Sequence, residues 1–319
     1  MDTCCIWTYV GIAALCLILY ALRKYFLGPK CQSKARLDGK TVIITGANTG
    51  IGKETAIDLA KRGAIVVLAC RDQKRGEAAL DEIKERSGSS KIVLKLLDLA
   101  SLVSIKEFAE SFLKEYAALH ILINNAGVMW CPYMKTKDGF EMQIGVNHFG
   151  HFALTNLLLE RLKESAPSRI VNLSSMGHLM GTMNFDDINS QKSYSSYGAY
   201  YQSKLANILF TKEIHRKLVD TGVTAYAVHP GGVDTELSRH IGLIKVFVTL
   251  AGKYMFLKTP EYGAQTSIYC AVEEGLEKRS GNYFQDCHEQ ESNKESYDEG
   301  IAKKLWEVSE DLTKVKFPF

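Results

Sequence analysis

The sequence predicts an α/β fold, a doubly wound parallel sheet with helices on both faces, preceded by one N-terminal transmembrane helix. Three observations carry this. From Asp38 onward, short β-branched runs alternate with longer amphipathic segments, the pattern of a parallel sheet covered on both sides. A glycine-rich stretch, TGANTGIG at 45–52, separates the first such run from the first such segment. Residues 4–22, CCIWTYVGIAALCLILYAL, contain no charge.

As a helix, residues 4–22 would extend roughly 28 Å, about the hydrocarbon thickness of a bilayer. A cleaved signal peptide wants a positive charge before its apolar run and small residues at a cleavage site. Here Asp2 precedes the run, and Arg23, Lys24, Lys30, Lys34 and Arg36 follow it. The expectation is an uncleaved anchor with a basic linker over 1–37, and one folded domain over 38–319 facing the cytosol by the positive-inside rule. No Pro- or Gly-rich linker and no internal repeat divides 38–319.

Strands read at 40–45 (KTVIIT), 65–69 (IVVLA), 91–96 (KIVLKL), 120–123 (HILI), 169–174 (RIVNLS) and 223–229 (VTAYAVH). They are too apolar for a sheet with one wet face. Helical periodicity fills the intervals, at about 51–62, 73–86, 102–116, 140–163, 197–219 and 261–273. The last segment, 293–319, is charged and then amphipathic, as a surface helix would be. Right-handed crossovers would then put ligands at the carboxyl ends of the strands.

Composition narrows the function. The chain has 319 residues, 46% hydrophobic and 24% charged, which excludes disorder and low complexity. Its net charge of +3 is gathered largely before Asp38, leaving no basic stripe for nucleic acid. Cys4, Cys5, Cys16, Cys31, Cys70, Cys131, Cys270 and Cys287 form no C-x-x-C pair and no disulfide-domain spacing, so reduced thiols are expected. His148 and His151 are three apart on a predicted helix, but no third ligand accompanies them and no metal is expected. The sequon Asn172-Leu173-Ser174 falls in a predicted buried strand and reads as chance. The sequence specifies no oligomeric state.

The glycine stretch has the spacing G-x-x-x-G-x-G. Gly46 closes strand one, while Gly50 and Gly52 open the first helix, so N–H groups and the helix dipole can face a pyrophosphate without Cβ atoms in the way. Strand, loop and helix come in the order of a Rossmann-type dinucleotide site. The second strand ends Cys70-Arg71-Asp72. An acid at that strand end would accept from a ribose 2′-hydroxyl, whereas an arginine would pair with a 2′-phosphate. Cys70 in the acid position and Arg71 after it favour NADP(H), with Asp72 a competing acid and a solvated surface charge the other reading of Arg71. Asp98 suits the adenine ring or a cap for the helix from Ser101. Asn124-Asn125-Ala126-Gly127 ends strand four and suits a backbone contact with the ribose or a structural turn.

Tyr200 and Lys204 are four apart on a predicted helix and project from one face. A neighbouring ammonium and a cationic nicotinamide ring would stabilise phenolate, which makes Tyr200 a general acid/base candidate. Tyr201 competes, but its partner at i+4 is Leu205. Ser175 follows strand five, where a hydroxyl can bond a substrate oxygen; Ser174 stands beside it as an alternative. Asn147, within the fifth helix, could hold a water, kink the helix, or satisfy buried backbone.

In this order Thr45-Gly46-x-x-x-Gly50-x-Gly52, Asn124-Asn125-Ala126-Gly127, Asn147, Ser175, Tyr200-x-x-x-Lys204 and Pro230-Gly231-x-Val233-x-Thr235 resemble the short-chain dehydrogenase/reductase family over roughly residues 38–290. CRD, NNAGVMWCPY, GVNHFGHF, SKLANILFT and AVHPGGV are similar to its microsomal retinol dehydrogenase group. The resemblance implies that Tyr200 exchanges a proton with the substrate oxygen and that Ser175 positions the carbonyl. It also implies that Lys204 binds the nicotinamide ribose and lowers the Tyr200 pKa, and that Asn147 supports a water-linked proton relay. The implied cofactor set is Gly46, Asn48, Thr49, Gly50, Ile51, Gly52, Arg71, Asp98, Asn125, Ala126, Gly127, Tyr200, Lys204, Pro230, Gly231, Val233 and Thr235. The interval from Ser175 to Tyr200 exceeds the family's usual one, so an insertion should loop out beside the site.

Residues 241–257, IGLIKVFVTLAGKYMFL, fall where the family carries its substrate lid. They are apolar, with Lys245 and Lys253 eight apart on much the same helical face, suiting a lid at a membrane surface or one packed on the domain. Either lid suits a long apolar substrate. The implied activity is NADP(H)-dependent interconversion of retinal and retinol at the endoplasmic reticulum membrane, with reduction favoured by the cytosolic cofactor pool. The competing expectations are reduction of other lipophilic carbonyls, such as steroids and lipid aldehydes, and a membrane-tethered binding protein without turnover.

Overall fold

The computed structural model describes residues 3–237 and 256–319 and, within the first helix, the side chains of Trp7, Tyr9 and residues 11–27. Of the expected lid, 241–255 lie outside the described residues. The N-terminal run forms a helix, α1 (Thr3–Leu27), of 25 residues. Among the described residues no helix is long and apolar enough to cross a membrane. Residues of the linker are docked on the domain: Arg62 donates to the carbonyls of Ser33 and Ala35 at 2.8 and 3.0 Å.

Six of the strands stand within a residue of their expected limits: β1 (Thr41–Thr45), β2 (Ile65–Cys70), β3 (Ile92–Leu96), β4 (Ile121–Asn124), β5 (Ser168–Leu173) and β6 (Val223–His229). Two three-residue strands, β7 (Tyr283–Gln285) and β8 (His288–Gln290), extend the sheet. Its order is β3-β2-β1-β4-β5-β6-β7-β8, parallel until the antiparallel β7–β8 pair. The order reverses between β1 and β4, which opens the crevice where such sheets bind ligands.

Both faces of the central strands are buried, and alternation within β1 shows how. Val42 and Ile44 join one apolar cluster with Val66, Leu68 and Ala56 of α2 (Gly50–Lys61), whereas Ile43 joins another with Val67, Leu122 and Phe112 of α4 (Leu102–Glu115). Successive side chains of a strand point to opposite faces, so a strand buried on both sides reads as a continuous apolar run. Between β2 and β3 lies α3 (Gln73–Ser87), closed by Gly88 in the left-handed conformation.

The expected helix at 140–163 is not uniform. It starts with Met142–Ile144, passes through a π-helical turn at Gly145–Phe149 and continues as Gly150–Glu164, together α5 here. Glu141 caps it, accepting from the amides of Gln143 and Ile144 at 2.9 Å. The helix α6 (Ser196–Lys217) carries Tyr200 and Lys204. The segment expected as one helix at 261–273 is a turn at Pro260–Gly263 followed by α7 (Gln265–Val272). The C-terminal helix α8 (Glu299–Thr313) buries one face: Trp306 lies 5.0 Å from Phe152 of α5 and 5.7 Å from Phe210 of α6. It is a layer of the core, not only a surface helix.

Candidate active site

The loop after β1 is built to bring backbone close to a ligand. Gly46 and Gly50 have φ of +65° and +57°, which bulky residues rarely adopt. A Cβ on Gly52 would lie 2.5 Å from Asn125 Nδ2 and 2.6 Å from the Gly46 carbonyl, so this glycine lets α2 sit tightly against the loop. At the start of α2, Thr49 makes no side-chain cap, and its first turn holds no acid, whereas Asp72, Ser101 and Ser195 cap α3, α4 and α6. An uncapped N-terminus at the strand-switch crevice fits a pyrophosphate. Beside Thr49 and Gly50, a cavity of about 400 Å³ extends toward Lys53, Asp234 and Thr235. Asn48 lies in the same loop and Ile51 in the first turn of α2, and a Cβ on Gly263 would meet both Val233 and Ile51. Pro230 and Gly231, the latter at φ +87°, follow β6 at the same end of the sheet.

The end of β2 resolves into three different environments. Cys70 is buried, its thiol bonded by the amides of Ala47 and Asn48 and raised to about 11 by burial. Asp72 is committed to the cap of α3, accepting from Arg75 N at 2.8 Å. Arg71 is exposed between them. Asp98 does not cap α4; it accepts from Ala100 N and pairs with Lys137 at 3.1 Å, while Ser101 is the cap.

The two asparagines after β4 divide their work. Asn124 is a core residue, donating to Thr155 and Asn172. Asn125 clamps the glycine loop through its Nδ2, which donates to the Thr45 carbonyl at 2.7 Å. The hydroxyl of Thr45 accepts from the amides of both Asn125 and Ala126 at 2.9 Å. Its own proton can then go to His151 Nε2, 2.9 Å away, because His151 Nδ1 faces the Asn147 carbonyl at 3.0 Å and must hold the ring proton. Burial lowers the His151 pKa to about 4, in keeping with a neutral ring. His148 bonds Ser309 instead. The two histidines therefore brace the fold in different directions. Among the described residues no group of three or more metal-ligating side chains gathers.

Asn147 sits in the π-helical turn. Its Oδ1 accepts from Val128 N at 2.8 Å, and its Nδ2 donates to the Val128 carbonyl and to Ser203 Oγ. These bonds fix the strand-four loop against α6. A Cβ on Gly127 would lie 3.2 Å from Asn147 Oδ1 and 3.6 Å from Lys204 Nζ, so the loop, the π turn and α6 converge on one point.

At that point lie the chemical groups. Ser174 points away, its hydroxyl donating to the Lys204 carbonyl at 2.8 Å. Ser175 instead shares a hydrogen bond with the Tyr200 hydroxyl. Lys204 is buried, donates to the Leu173 carbonyl at 3.2 Å, and lies 5.6 Å from the centre of the Tyr200 ring. Burial raises the Tyr200 phenol to about 12 and lowers the Lys204 amine to about 8. In the protein alone, burial outweighs the lowering effect of the Ser175 hydrogen bond on the phenol. Charge is costly at both groups. The arrangement holds a protonated phenol, oriented by a serine, beside an amine still largely charged at neutral pH.

The insertion between Ser175 and Tyr200 forms two short 3₁₀ turns, Met176–Met180 and Phe185–Asp187. Asn293 gathers the first of them by donating to the carbonyls of His178, Leu179 and Gly181. Gln143 and Asn293 are supporting residues that no local pattern singles out, and the supporting bond between Thr45 and His151 joins positions far apart in the chain.

The chain is similar to known proteins over most of its length. Mouse retinol dehydrogenase 11 is 55% identical over 298 residues, covering 93% of this chain and 94% of that one. Human retinol dehydrogenase 12 is 52% identical over 303 residues, covering 95% of each. A crystal structure of an uncharacterised protein from Mycobacterium paratuberculosis superposes with a TM-score of 0.75 at 37% identity, covering 92% of this chain and all of that one. Residues 40–243 match the short chain dehydrogenase family, and the chain belongs to it.

Proposed function

We propose that this oxidoreductase is an NADPH-dependent reductase of retinal, reversible as a retinol dehydrogenase. The observation that carries the proposal is the hydrogen bond of Ser175 to the buried Tyr200 beside the buried Lys204, together with the uncapped start of α2. When bound, the nicotinamide supplies the hydride. The chain supplies the proton and the orientation. Ser175 and Tyr200 both hydrogen-bond the carbonyl oxygen, Tyr200 donates its proton as negative charge develops there, and Lys204 stabilises the phenolate left behind. Asn147 keeps the Val128 loop against α6.

NADP(H) is the favoured cofactor because Arg71 is the exposed cation at the end of β2 while Asp72 is occupied as a helix cap. A guanidinium there fits a 2′-phosphate. Retinal is favoured because the similar proteins are named retinol dehydrogenases. The reading includes a membrane anchor in α1, a helix of 25 residues and roughly 37 Å, on which Trp7, Tyr9, Ile12, Leu15 and Ile18 are exposed. We place the anchor in the endoplasmic reticulum and the domain, 38–319, in the cytosol. The test is the initial rate of all-trans-retinal reduction by detergent-solubilised protein, with NADPH and NADH in parallel. NADPH-dependent turnover supports the proposal; reduction of steroids or alkyl aldehydes but not of retinal would replace its substrate.

A further inference from the structure

Trp130 carries two local costs. Its φ of +53° is in the left-handed region, a genuine outlier for a bulky residue. Its indole N–H is buried without a hydrogen-bond partner. The pose is nevertheless over-determined by its surroundings. Gln143, fully buried, accepts from Trp130 N at 2.8 Å, and its amide donates to Tyr194 Oη at 3.0 Å and to the Ser196 carbonyl at 2.8 Å. Tyr194 in turn donates to the Cys131 carbonyl at 2.6 Å. One glutamine thus bolts the 130–131 turn to the first residue of α6, the helix that carries Tyr200.

Backbone strain that the structure over-determines gathers where geometry serves function. What this strain secures is the position of a ring. The indole lies 4.6 Å from the Tyr197 ring and meets Tyr200 edge-on at 6.4 Å. We infer that Trp130, backed by Tyr197, is the wall that selects the substrate, an elongated apolar carbonyl compound whose chain lies along the indole while its oxygen reaches Ser175 and Tyr200. This rests on the carbonyl-reductase reading above. A flat apolar wall contributes in proportion to the apolar area it covers, so it favours a long chain over a short one that reaches the same phenol.

The test compares kcat/KM for all-trans-retinal, dodecanal and butanal in the wild type, Trp130→Leu, Trp130→Phe and Tyr197→Leu, with the NADPH dissociation constant as the check on folding. The long-to-short ratio should fall about tenfold in Trp130→Leu, less in Tyr197→Leu, and be largely kept in Trp130→Phe. Should Trp130→Leu not fold, Tyr197→Leu at the other end of the wall decides the matter. Equal losses on long and short substrates, or an unchanged ratio, would overturn the inference by making Trp130 structural. Wild-type reduction of dodecanal but not retinal would instead remove the retinoid reading and leave the wall to be judged on the alkyl series. A wild type inactive on all three would overturn both.

Discussion

Lys204 Nζ lies 5.6 Å from the centre of the Tyr200 ring, and burial drives the two groups apart in pKa, the amine down to about 8 and the phenol up to about 12. On the proposed mechanism, reduction needs Tyr200 protonated and Lys204 charged. Both conditions hold below pH 8. As the pH rises through about 8, Lys204 loses its charge first, so kcat/KM for reduction should fall with one alkaline limb near that pH. Oxidation needs the phenolate and should rise toward alkaline pH. Lys204→Arg, whose side chain stays charged, should abolish the alkaline limb of reduction even if the overall rate drops. A reduction profile limited on its acid side would contradict the assignment.

Arg71 and Asp72 are neighbours with opposite commitments, one exposed and one bound to the start of α3. Replacing Arg71 with Ala should raise the KM for NADPH by about 10- to 100-fold, the value of a charge-assisted hydrogen bond, and leave that for NADH little changed. Steady-state kinetics with both cofactors measure this directly. Equal effects on the two would mean that Arg71 does not meet a 2′-phosphate.

Gly52 is required by space rather than by φ. The Cβ of Gly52→Ala would press on Asn125 Nδ2 and on the Gly46 carbonyl, groups that hold the loop together. The expected cost is about 1–3 kcal/mol, visible in urea unfolding, together with weakened NADPH binding. Gly88→Ala tests the other use of glycine. Nothing lies within 4 Å of its Cβ, but its φ of +70° strains an alanine, so stability should drop modestly with cofactor binding intact.

Trp306 joins Phe152 and Phe210 in the core although it belongs to the C-terminal helix. Trp306→Ala should cost about 3–5 kcal/mol, read as a lowered unfolding midpoint in urea. A change near zero would mean that α8 merely rests on the surface.

These cases mark what was legible in the sequence. Val42, Ile43 and Ile44 revealed a doubly covered sheet because period-two alternation disappears when both faces are buried. The spacing of Tyr200 and Lys204 revealed their common face because α6 is regular. Strands β7 and β8 were not legible, since three residues carry no period. Nor was the break at Ala264, because the single Gly263 before it is also compatible with a continuous helix. The Thr45–His151 bond spans 106 positions of sequence, and the tautomer it requires follows only from three-dimensional partners. The left-handed backbone of Trp130 was equally hidden, because nothing local in VMWCP demands it.

The most direct measurement is single-turnover reduction of all-trans-retinal by NADPH-loaded enzyme, comparing the wild type with Tyr200→Phe and following NADPH fluorescence. The account predicts that Tyr200→Phe binds NADPH as tightly as the wild type yet transfers hydride about 10²- to 10⁴-fold more slowly, the contribution of one general acid. Hydride transfer at an undiminished rate in Tyr200→Phe would contradict it and move the proton donor to another group.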